Sequence, residues 1–240
     1  MSYLILVRHG QSRWNLSNRF TGWVDVTLSQ KGVQEAMDCA KKLKHLTIHQ
    51  GFTSHLERAQ DTLNIILAEQ EKGAIFLHPT DKKKKRFLFA DNIARDEILV
   101  NATSLLNERY YGELQGMRKD VASKKFGKKK VLAWRRGYTD RPPGGESLKD
   151  VYGRVIPFFR KRITPLLKER KNIIIASHGN TMRAIIKYIE NISSKDIPNL
   201  DFDWGEPIIY NFHNKEFQKL DGNLKFQRSV YWKAPKKSTI

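Results

Sequence analysis

The chain has 240 residues, of which 44 are Lys or Arg and 25 are Asp or Glu, so its formal net charge is +19. No run of about 18 apolar residues occurs, which excludes a membrane-spanning helix. The hydrophobic fraction of 40% argues against a disordered chain. The positive charge favours an anionic partner, which from charge alone is nucleic acid, an anionic membrane surface or a phosphorylated small molecule.

The single cysteine, Cys39, cannot form an internal disulfide. The chain opens with a strand-like apolar run over residues 3–7 instead of a targeting segment. We therefore expect a cytoplasmic protein. The same run is typical of a strand buried on both faces of a largely parallel sheet.

Two helices are predicted after this strand. Ser29 precedes a segment with apolar residues at helical spacing, namely Val33, Ala36, Met37, Ala40 and Leu43. Ser54 and Glu57 have the spacing of a capping box, which predicts a second helix that continues through Leu67.

Two Lys-rich stretches carry much of the charge. Residues 73–105 fit neither a helical nor a strand period and contain the basic run 82–86, so we interpret them as a basic insertion outside the core. Residues 118–136 hold nine Lys or Arg against Asp120. Such runs are usually solvated, and with little aromatic interleaving these two support at most non-specific electrostatic binding of nucleic acid.

A tight loop at residues 142–145 is followed by a helix that begins near Ser147. We expect this helix to be bent or broken near Pro157 and to end before Pro165. Residues 173–176 repeat the opening apolar run and predict a second buried strand. A helix follows it, with apolar residues at Met182, Ile185, Ile186 and Ile189.

The end of the chain is predicted to form late strands over residues 207–212 and 217–226. We expect a turn at Asp221 and Gly222, the last strand at an edge of the sheet, and a flexible tail over residues 233–240. Strands alternating with helices predict a single α/β domain over the whole chain. Its expected architecture is a three-layer α/β/α sandwich with a mostly parallel central sheet and one antiparallel edge strand.

Two histidines end the two buried strands, and each is followed by glycine: His9 with Gly10, and His178 with Gly179. Ligands of such sheets bind beyond the carboxyl ends of the strands, so the two histidines lie side by side if their strands are neighbours. A single histidine in this position is more often an ordinary half-buried residue. The repeated context favours a functional pair.

Arginines near the histidines suit a phosphoryl group. Guanidinium groups bind its oxygens in a fork and stay charged at any working pH. Neutral imidazole is a nucleophile, so His9 can accept a phosphoryl group while Arg8, Arg58 and His178 neutralise its oxygens. Taken alone, Arg58 also fits a solvated charge on a helix. No dense set of carboxylates or of Cys and His at metal-ligand spacing is visible, so we expect metal-free chemistry.

Transfer to or from an alcohol also needs a proton donor and acceptor. Glu108 stands in a segment that no helical or strand period explains, and a carboxyl partly shielded from water suits this role. The alternative for Glu108 is an ion pair with Arg109. Arg135 and Arg136 follow Trp134. These two arginines either bind a carboxylate and a phosphate or continue a solvated basic face.

Several blocks of sequence together resemble one family. They are residues 6–15 (LVRHGQSRWN), 19–23 (RFTGW), 107–116 (NERYYGELQG), 134–137 (WRRG), 145–147 (GES) and 176–180 (ASHGN). The Arg-His-Gly triplet marks the histidine phosphatase superfamily. The blocks that begin at Asn107 and Trp134 resemble its 2,3-bisphosphoglycerate-dependent phosphoglycerate mutases.

The resemblance implies roles for individual residues. His9 is the expected phosphorylated nucleophile, Glu108 the proton donor and acceptor, and His178 stabilises the transferring group with Arg8 and Arg58. Substrate binding is expected from Gln11, Ser12, Arg13, Trp14, Asn15, Thr21, Gly22, Arg109, Tyr110, Tyr111, Lys119, Arg135, Arg136, Gly179 and Asn180.

The implied reaction interconverts 2-phosphoglycerate and 3-phosphoglycerate in glycolysis and gluconeogenesis. It passes through a phosphohistidine and needs 2,3-bisphosphoglycerate as primer, with no metal. The resemblance also implies a homodimer or homotetramer. Compared with long members of this family, the loop between Gly137 and Glu146 is short and the Lys-rich end after Trp232 is shortened. We therefore expect a less covered site, which admits water. A phosphatase or a bisphosphoglycerate synthase with the same nucleophile is therefore the alternative activity.

Overall fold

The computed structural model describes residues 1–77 and 97–220, and a seven-stranded sheet forms the centre of this part of the chain. Its strands are β1 (Ser2–Arg8), β2 (Gln50–Thr53), β3 (Gly73–Leu77), β4 (Glu97–Ala102), β5 (Ile173–Ser177), β6 (Pro207–His213) and β7 (Glu216–Lys219). The order is β3-β4-β2-β5-β1-β6-β7. All pairings from β3 to β1 are parallel, whereas β6 pairs antiparallel with β1 and β7 antiparallel with β6.

Helices connect the strands. The α-helices are α1 (Arg13–Leu16), α2 (Gln30–Leu43), α3 (Glu57–Leu67), α4 (Lys119–Phe126), α5 (Lys128–Arg136), α6 (Leu148–Phe158), α7 (Thr164–Lys168) and α8 (Gly179–Ile189). Short 3₁₀ turns cover Ser104–Leu106, Gly112–Leu114 and Ile197–Asn199, and a π turn covers Phe159–Ile163. No helix among the described residues combines the length and apolar character needed to cross a membrane.

The central strands are buried on both faces, as their continuous apolar runs predict. Leu4 and Leu6 of β1 pack into a core with α6, α7 and α8, whereas Ile5 and Val7 pack into a second core with α2 and α3. Alternate residues of a strand point to opposite faces, so one strand supplies both layers. The predicted α/β/α sandwich with a mostly parallel sheet is confirmed.

The prediction that residues 73–105 lie outside the core is wrong at both ends. β3 and β4 extend the parallel sheet, and β4 alternates half-buried and buried positions, with Ile98, Val100 and Ala102 packed inside. This alternation is a strand period that the adjacent basic run obscured. The basic run 82–86 itself lies outside the described residues.

The helix boundaries follow the predictions with two corrections. Ser29 caps α2 and Ser147 caps α6, but the predicted capping box of Ser54 and Glu57 is absent. Helix α3 begins at Glu57 without a side-chain cap. Helix α6 ends just after Pro157, as predicted, yet the helical path continues through the π turn into α7, where a proline is tolerated in the first turn.

Strands β6 and β7 lie where late strands are predicted and pair with each other, and β7 lies at the edge of the sheet. Residues 221–226 of the predicted second strand lie outside the described residues. The strand that runs against the others is β6, one position in from that edge. Asn214 and Lys215 make the connecting turn with positive φ values. The expected turn at Asp221 and Gly222 and the expected flexible tail 233–240 lie outside the described residues.

Candidate active site

The two histidines follow strands that are direct neighbours. Arg8 at the end of β1 pairs with Ser177 at the end of β5, and the amide of His9 donates to the carbonyl of Ser177 at 2.9 Å. The ring centroids of His9 and His178 are 5.0 Å apart. The parallel pairing therefore brings the two imidazoles together at the carboxyl edge of the sheet, as the sequence predicts.

The surroundings of His9 determine which of its ring nitrogens is free to react. Nδ1 lies 2.7 Å from the carbonyl oxygen of Gly10, which can only accept, so this nitrogen carries the proton. Burial together with Arg58 and Arg8 holds the pKa of His9 well below its ordinary value. The ring is therefore neutral at pH 7, with a lone pair on Nε2.

The second histidine is fixed by a serine. His178 is fully buried, and its Nε2 lies 2.7 Å from Oγ of Ser54, which also accepts the amide of Leu56. Burial, Arg58 and His9 hold the pKa of His178 well below its ordinary value, so this ring is also neutral. When the Ser54 hydroxyl donates to Nε2, the proton of the ring stays on Nδ1, which has no hydrogen-bond partner among the described residues.

Arg58 reaches the site from the first turn of α3 and is only 1% exposed, so its interpretation as a solvated charge is wrong. Its guanidinium donates to the carbonyls of Val24 and Gly22, at 3.0 and 2.8 Å. Its Nε donates a long hydrogen bond to Nε2 of His9 at 3.4 Å. Burial lowers the pKa of Arg58 to about 10, which leaves it charged at pH 7 beside the unprotonated Nε2.

Arg8 is held by the loop that precedes β6. Its guanidinium donates to the carbonyl of Phe202 at 3.0 Å and lies 4.9 Å above the ring of Trp204. Its Nε is buried without a partner among the described residues. Burial lowers the pKa of Arg8. A half-buried, preorganised cation with a free donor is suited to bind an anionic oxygen.

Glu108 lies on the opposite side of the same site. Its Oε1 accepts the side-chain amide of Asn180 at 2.8 Å and the backbone amide of Arg109 at 2.6 Å. A Cβ atom on Gly179 would lie 3.8 Å from both Oε2 of Glu108 and Nε of Arg8, so both side chains approach this glycine. The guanidinium of Arg109 instead donates to the carbonyl of Arg135 at 2.7 Å.

A cavity of about 410 Å³ joins these groups. Seven Lys and Arg side chains line it against three acidic ones. Burial, together with Arg135, Arg8 and Arg136, lowers the pKa of Lys119 to about 8. The excess of cations matches a small ligand with several negative charges.

Most of the predicted site residues line this cavity: Arg8, His9, Asn15, Thr21, Gly22, Arg58, Glu108, Tyr111, Lys119, Arg135, Arg136, Gly179 and Asn180. His178 lies directly behind His9. The remaining predicted residues do not line it. Gln11 is buried against Ser29, Ser12 caps α1, Arg13 is exposed, and Trp14 lies near Gly116.

Arg109 and Tyr110 were predicted to bind substrate but also lie away from the cavity lining. Arg109 is fully buried and stacks 4.9 Å from the ring of Tyr111, while Tyr110 packs against Trp23. Because Arg109 donates to the carbonyl of Arg135, it supports the chain that carries a cavity-lining arginine.

The sequence interpretation missed several lining residues. Arg183 projects from α8 and is 7% exposed, and burial together with Arg136 lowers its pKa to about 10. Asp201 bonds Arg136 at 2.8 Å and lies 3.7 Å from Arg183. The other missed residues are Asn18, Arg19, Phe20, Phe202, Asp203 and Trp204. A charged residue on the inward stripe of α8 was the available signal for Arg183, whereas the loop 201–204 carries no recognisable pattern.

The family model described as histidine phosphatase superfamily (branch 1) matches residues 4–79 and 89–224. The chain belongs to this superfamily. Two curated relatives are both named 2,3-bisphosphoglycerate-dependent phosphoglycerate mutase. The protein from Methanosarcina acetivorans is 44% identical over 88% of this chain and 92% of its own length. The protein from Protochlamydia amoebophila is 42% identical over 91% of this chain and 99% of its own length.

Solved structures share the superfamily fold at low sequence identity. A mycobacterial glucosyl-3-phosphoglycerate phosphatase superposes with a TM-score of 0.72 at 22% identity, covering 91% of this chain and 97% of its own. The Bacillus stearothermophilus protein YhfR superposes with a TM-score of 0.73 at 20% identity, covering 92% and 97%. Within residues 1–77 and 97–220, no group of three or more His, Cys, Asp or Glu side chains is arranged to hold a metal ion.

Proposed function

We propose that this superfamily member interconverts 2-phosphoglycerate and 3-phosphoglycerate, with His9 as the transient phosphoryl carrier and 2,3-bisphosphoglycerate as primer. Curated relatives that are 41–44% identical over most of the chain bear the name of this activity. The observation that carries the proposal is the unprotonated Nε2 of His9, which accepts a long hydrogen bond from Nε of Arg58 and lies beside a second neutral histidine.

The first half of the reaction loads the histidine. Nε2 of His9 attacks the phosphorus of 2,3-bisphosphoglycerate, an N–P bond forms, and the P–O bond to the glycerate breaks. Arg8, Arg58 and Nδ1–H of His178 supply positive charge and hydrogen bonds to the oxygens that carry charge in the transition state. Because these donors are already fixed by Phe202, Gly22 and Ser54, little reorganisation is needed during the step.

Glu108 completes the proton balance of this reaction. It gives a proton to the glycerate oxygen as that oxygen leaves phosphorus. In the second half it takes a proton from the hydroxyl of a monophosphoglycerate, whose oxygen then attacks the phosphohistidine and breaks the N–P bond. Its position beside Gly179, which Arg8 also approaches, supports this role.

The rest of the glycerate is bound by the cations farther from His9. Lys119, Arg135, Arg136 and Arg183 line this part of the cavity and suit the carboxylate and the phosphate that is not transferred. Binding of both anionic ends by these cations keeps the glycerate in the site while its 2- and 3-oxygens exchange places next to the phosphohistidine. The remaining expectations, namely a cytoplasmic location, one domain over residues 1–240 and a homodimer or homotetramer, belong to the same proposal.

The test is equilibration of the two monophosphoglycerates by purified protein primed with 2,3-bisphosphoglycerate. We expect conversion in both directions, and its loss in His9→Ala. Failure of the wild type to equilibrate the two esters, with His9→Ala behaving identically, would refute the proposal. Release of inorganic phosphate in excess of isomerised product would instead favour the phosphatase or synthase alternative.

A further inference from the structure

Glu146 and Arg154 form a part-buried ion pair beside the backbone of Glu108. Nε of Arg154 lies 3.0 Å from Oε1 of Glu146, and one terminal nitrogen of Arg154 lies 3.0 Å from Oε2. The side chains are 16% exposed for Arg154 and 22% for Glu146. Neither residue lines the cavity, so direct contact with substrate does not account for this pair.

The pair also binds the main chain on both sides of Glu108. Arg154 donates to the carbonyl of Leu105 at 2.8 Å and to the carbonyl of Glu108 at 3.0 Å. Oε2 of Glu146 accepts the amide of Tyr110 at 2.9 Å, and the amide of Glu146 donates to the carbonyl of Tyr110 at 2.8 Å. The guanidinium therefore spans three acceptors at once, a geometry that a lysine ammonium cannot reproduce.

This segment needs such support because it has no regular secondary structure. Residues 107–111 lie between two 3₁₀ turns, Ser104–Leu106 and Gly112–Leu114, without the hydrogen-bond ladder of a helix or strand. Trp23 supplies a second donor to the carbonyl of Glu108 at 2.6 Å. A displacement of about 1 Å in a positioned group can cost about 100-fold in rate.

We propose that Arg154 and Glu146 are positioning residues that set the place of the Glu108 carboxyl against the leaving oxygen. This inference rests on the proposed function, in which Glu108 delivers the proton. Loosening the pair moves the main chain of Glu108 and impairs proton delivery, while His9, Arg8 and Arg58 remain in place because other elements hold them. The loss in the rate of phosphoryl transfer to His9 then depends on how strongly the leaving group requires protonation.

The test compares two phosphoryl donors that load the same histidine. The glycerate oxygen of 2,3-bisphosphoglycerate leaves as a poor alkoxide and needs the proton, whereas p-nitrophenyl phosphate releases a stable nitrophenolate and does not. The measurement is the single-turnover rate at which acid-labile phosphate forms on His9. For Arg154→Gln we expect a fall of about 100-fold with bisphosphoglycerate and of less than about 3-fold with the aryl ester.

Two further variants isolate the cause. Arg154→Lys keeps the charge but loses the fork, so we expect an intermediate, still donor-dependent loss of about 10-fold. Arg141→Gln is the matched control. Arg141 forms an ion pair with Asp150, which lies on the same helix as Arg154, and it does not contact the Glu108 segment. We expect it to match the wild type with both donors. If Arg154→Gln does not fold, Glu146→Gln replaces it, and we expect a smaller loss in the same direction.

Equal falls with both donors, or no fall with either, would overturn the positioning role while leaving the proposed function intact. Absence of phosphate on His9 in the wild type with both donors would instead overturn the proposed function, and the inference with it.

Discussion

We expect Lys119 to make the binding of phosphoglycerate depend on pH. Burial and three neighbouring arginines lower its pKa to about 8 in the free protein. A bound anion stabilises the ammonium, so the ligand binds well only where Lys119 is protonated. With the free pKa at about 8, the protonated fraction falls from about 90% at pH 7 to about 9% at pH 9, and the Kd therefore rises about tenfold.

The interval from pH 7 to 9 is suited to this measurement because the two histidines and two arginines of the site titrate outside it. The pKa values of the two histidines lie well below their ordinary range owing to burial, and those of Arg58 and Arg183 lie at about 10. A phosphate monoester has its second pKa at about 6, so the phosphate of the ligand is at least about 90% dianionic throughout.

The assay is calorimetric titration of 3-phosphoglycerate at pH 7, 8 and 9. The wild type should lose affinity about tenfold and take up a proton on binding at the upper end of the range. Lys119→Arg keeps its charge, and its Kd should change less than about twofold over the same range. A flat profile in the wild type, or the same slope in Lys119→Arg, would refute the reasoning.

The remaining predictions concern Ser54, which contacts His178, and Gly10, which follows His9; Gly153 serves as the comparison for Gly10. Ser54→Ala removes the hydrogen-bond partner of His178 Nε2. We expect kcat, from steady-state kinetics, to fall about tenfold, and the free energy of unfolding, from urea unfolding, to fall by about 1–3 kcal/mol. An unchanged kcat would contradict the role of Ser54. Gly10→Ala places a Cβ atom 2.2 Å from the carbonyl oxygen of Gly32 and should destabilise the protein by about 3 kcal/mol. Gly153→Ala, whose Cβ atom meets nothing within 4 Å in the interior of α6, should stabilise it by about 1 kcal/mol in the same unfolding assay. Equal effects of the two alanines would contradict the packing argument.

The central strands were predictable because their burial in the folded protein leaves a clear pattern in the local sequence. β1 and β5 are buried on both faces, so their sequences are continuously apolar, and each ends where a His-Gly pair begins. Parallel pairing then brings His9 and His178 together without further information. The same logic failed for β3, an edge strand with half-exposed residues whose sequence carries little of this signal.

Residues whose role depends on tertiary contacts were harder to predict. Ser54 has the local pattern of a helix cap, but its hydroxyl bonds His178, which lies 124 positions away in the chain. Arg109 resembles a ligand-binding arginine in sequence, yet it is fully buried and holds the carbonyl of Arg135. Asp201 enters the cavity from a loop, where no periodicity constrains a side chain.

The most direct test of the account is the chemical state of His9 after the protein is mixed with 2,3-bisphosphoglycerate. Digestion at neutral pH followed by mass spectrometry should find one phosphoryl group on the peptide that contains His9. Brief acid treatment should remove the group, and His9→Ala should lack it. Acid-stable phosphate, phosphate on another residue, or equilibration of the two phosphoglycerates without any labelled histidine would contradict the account.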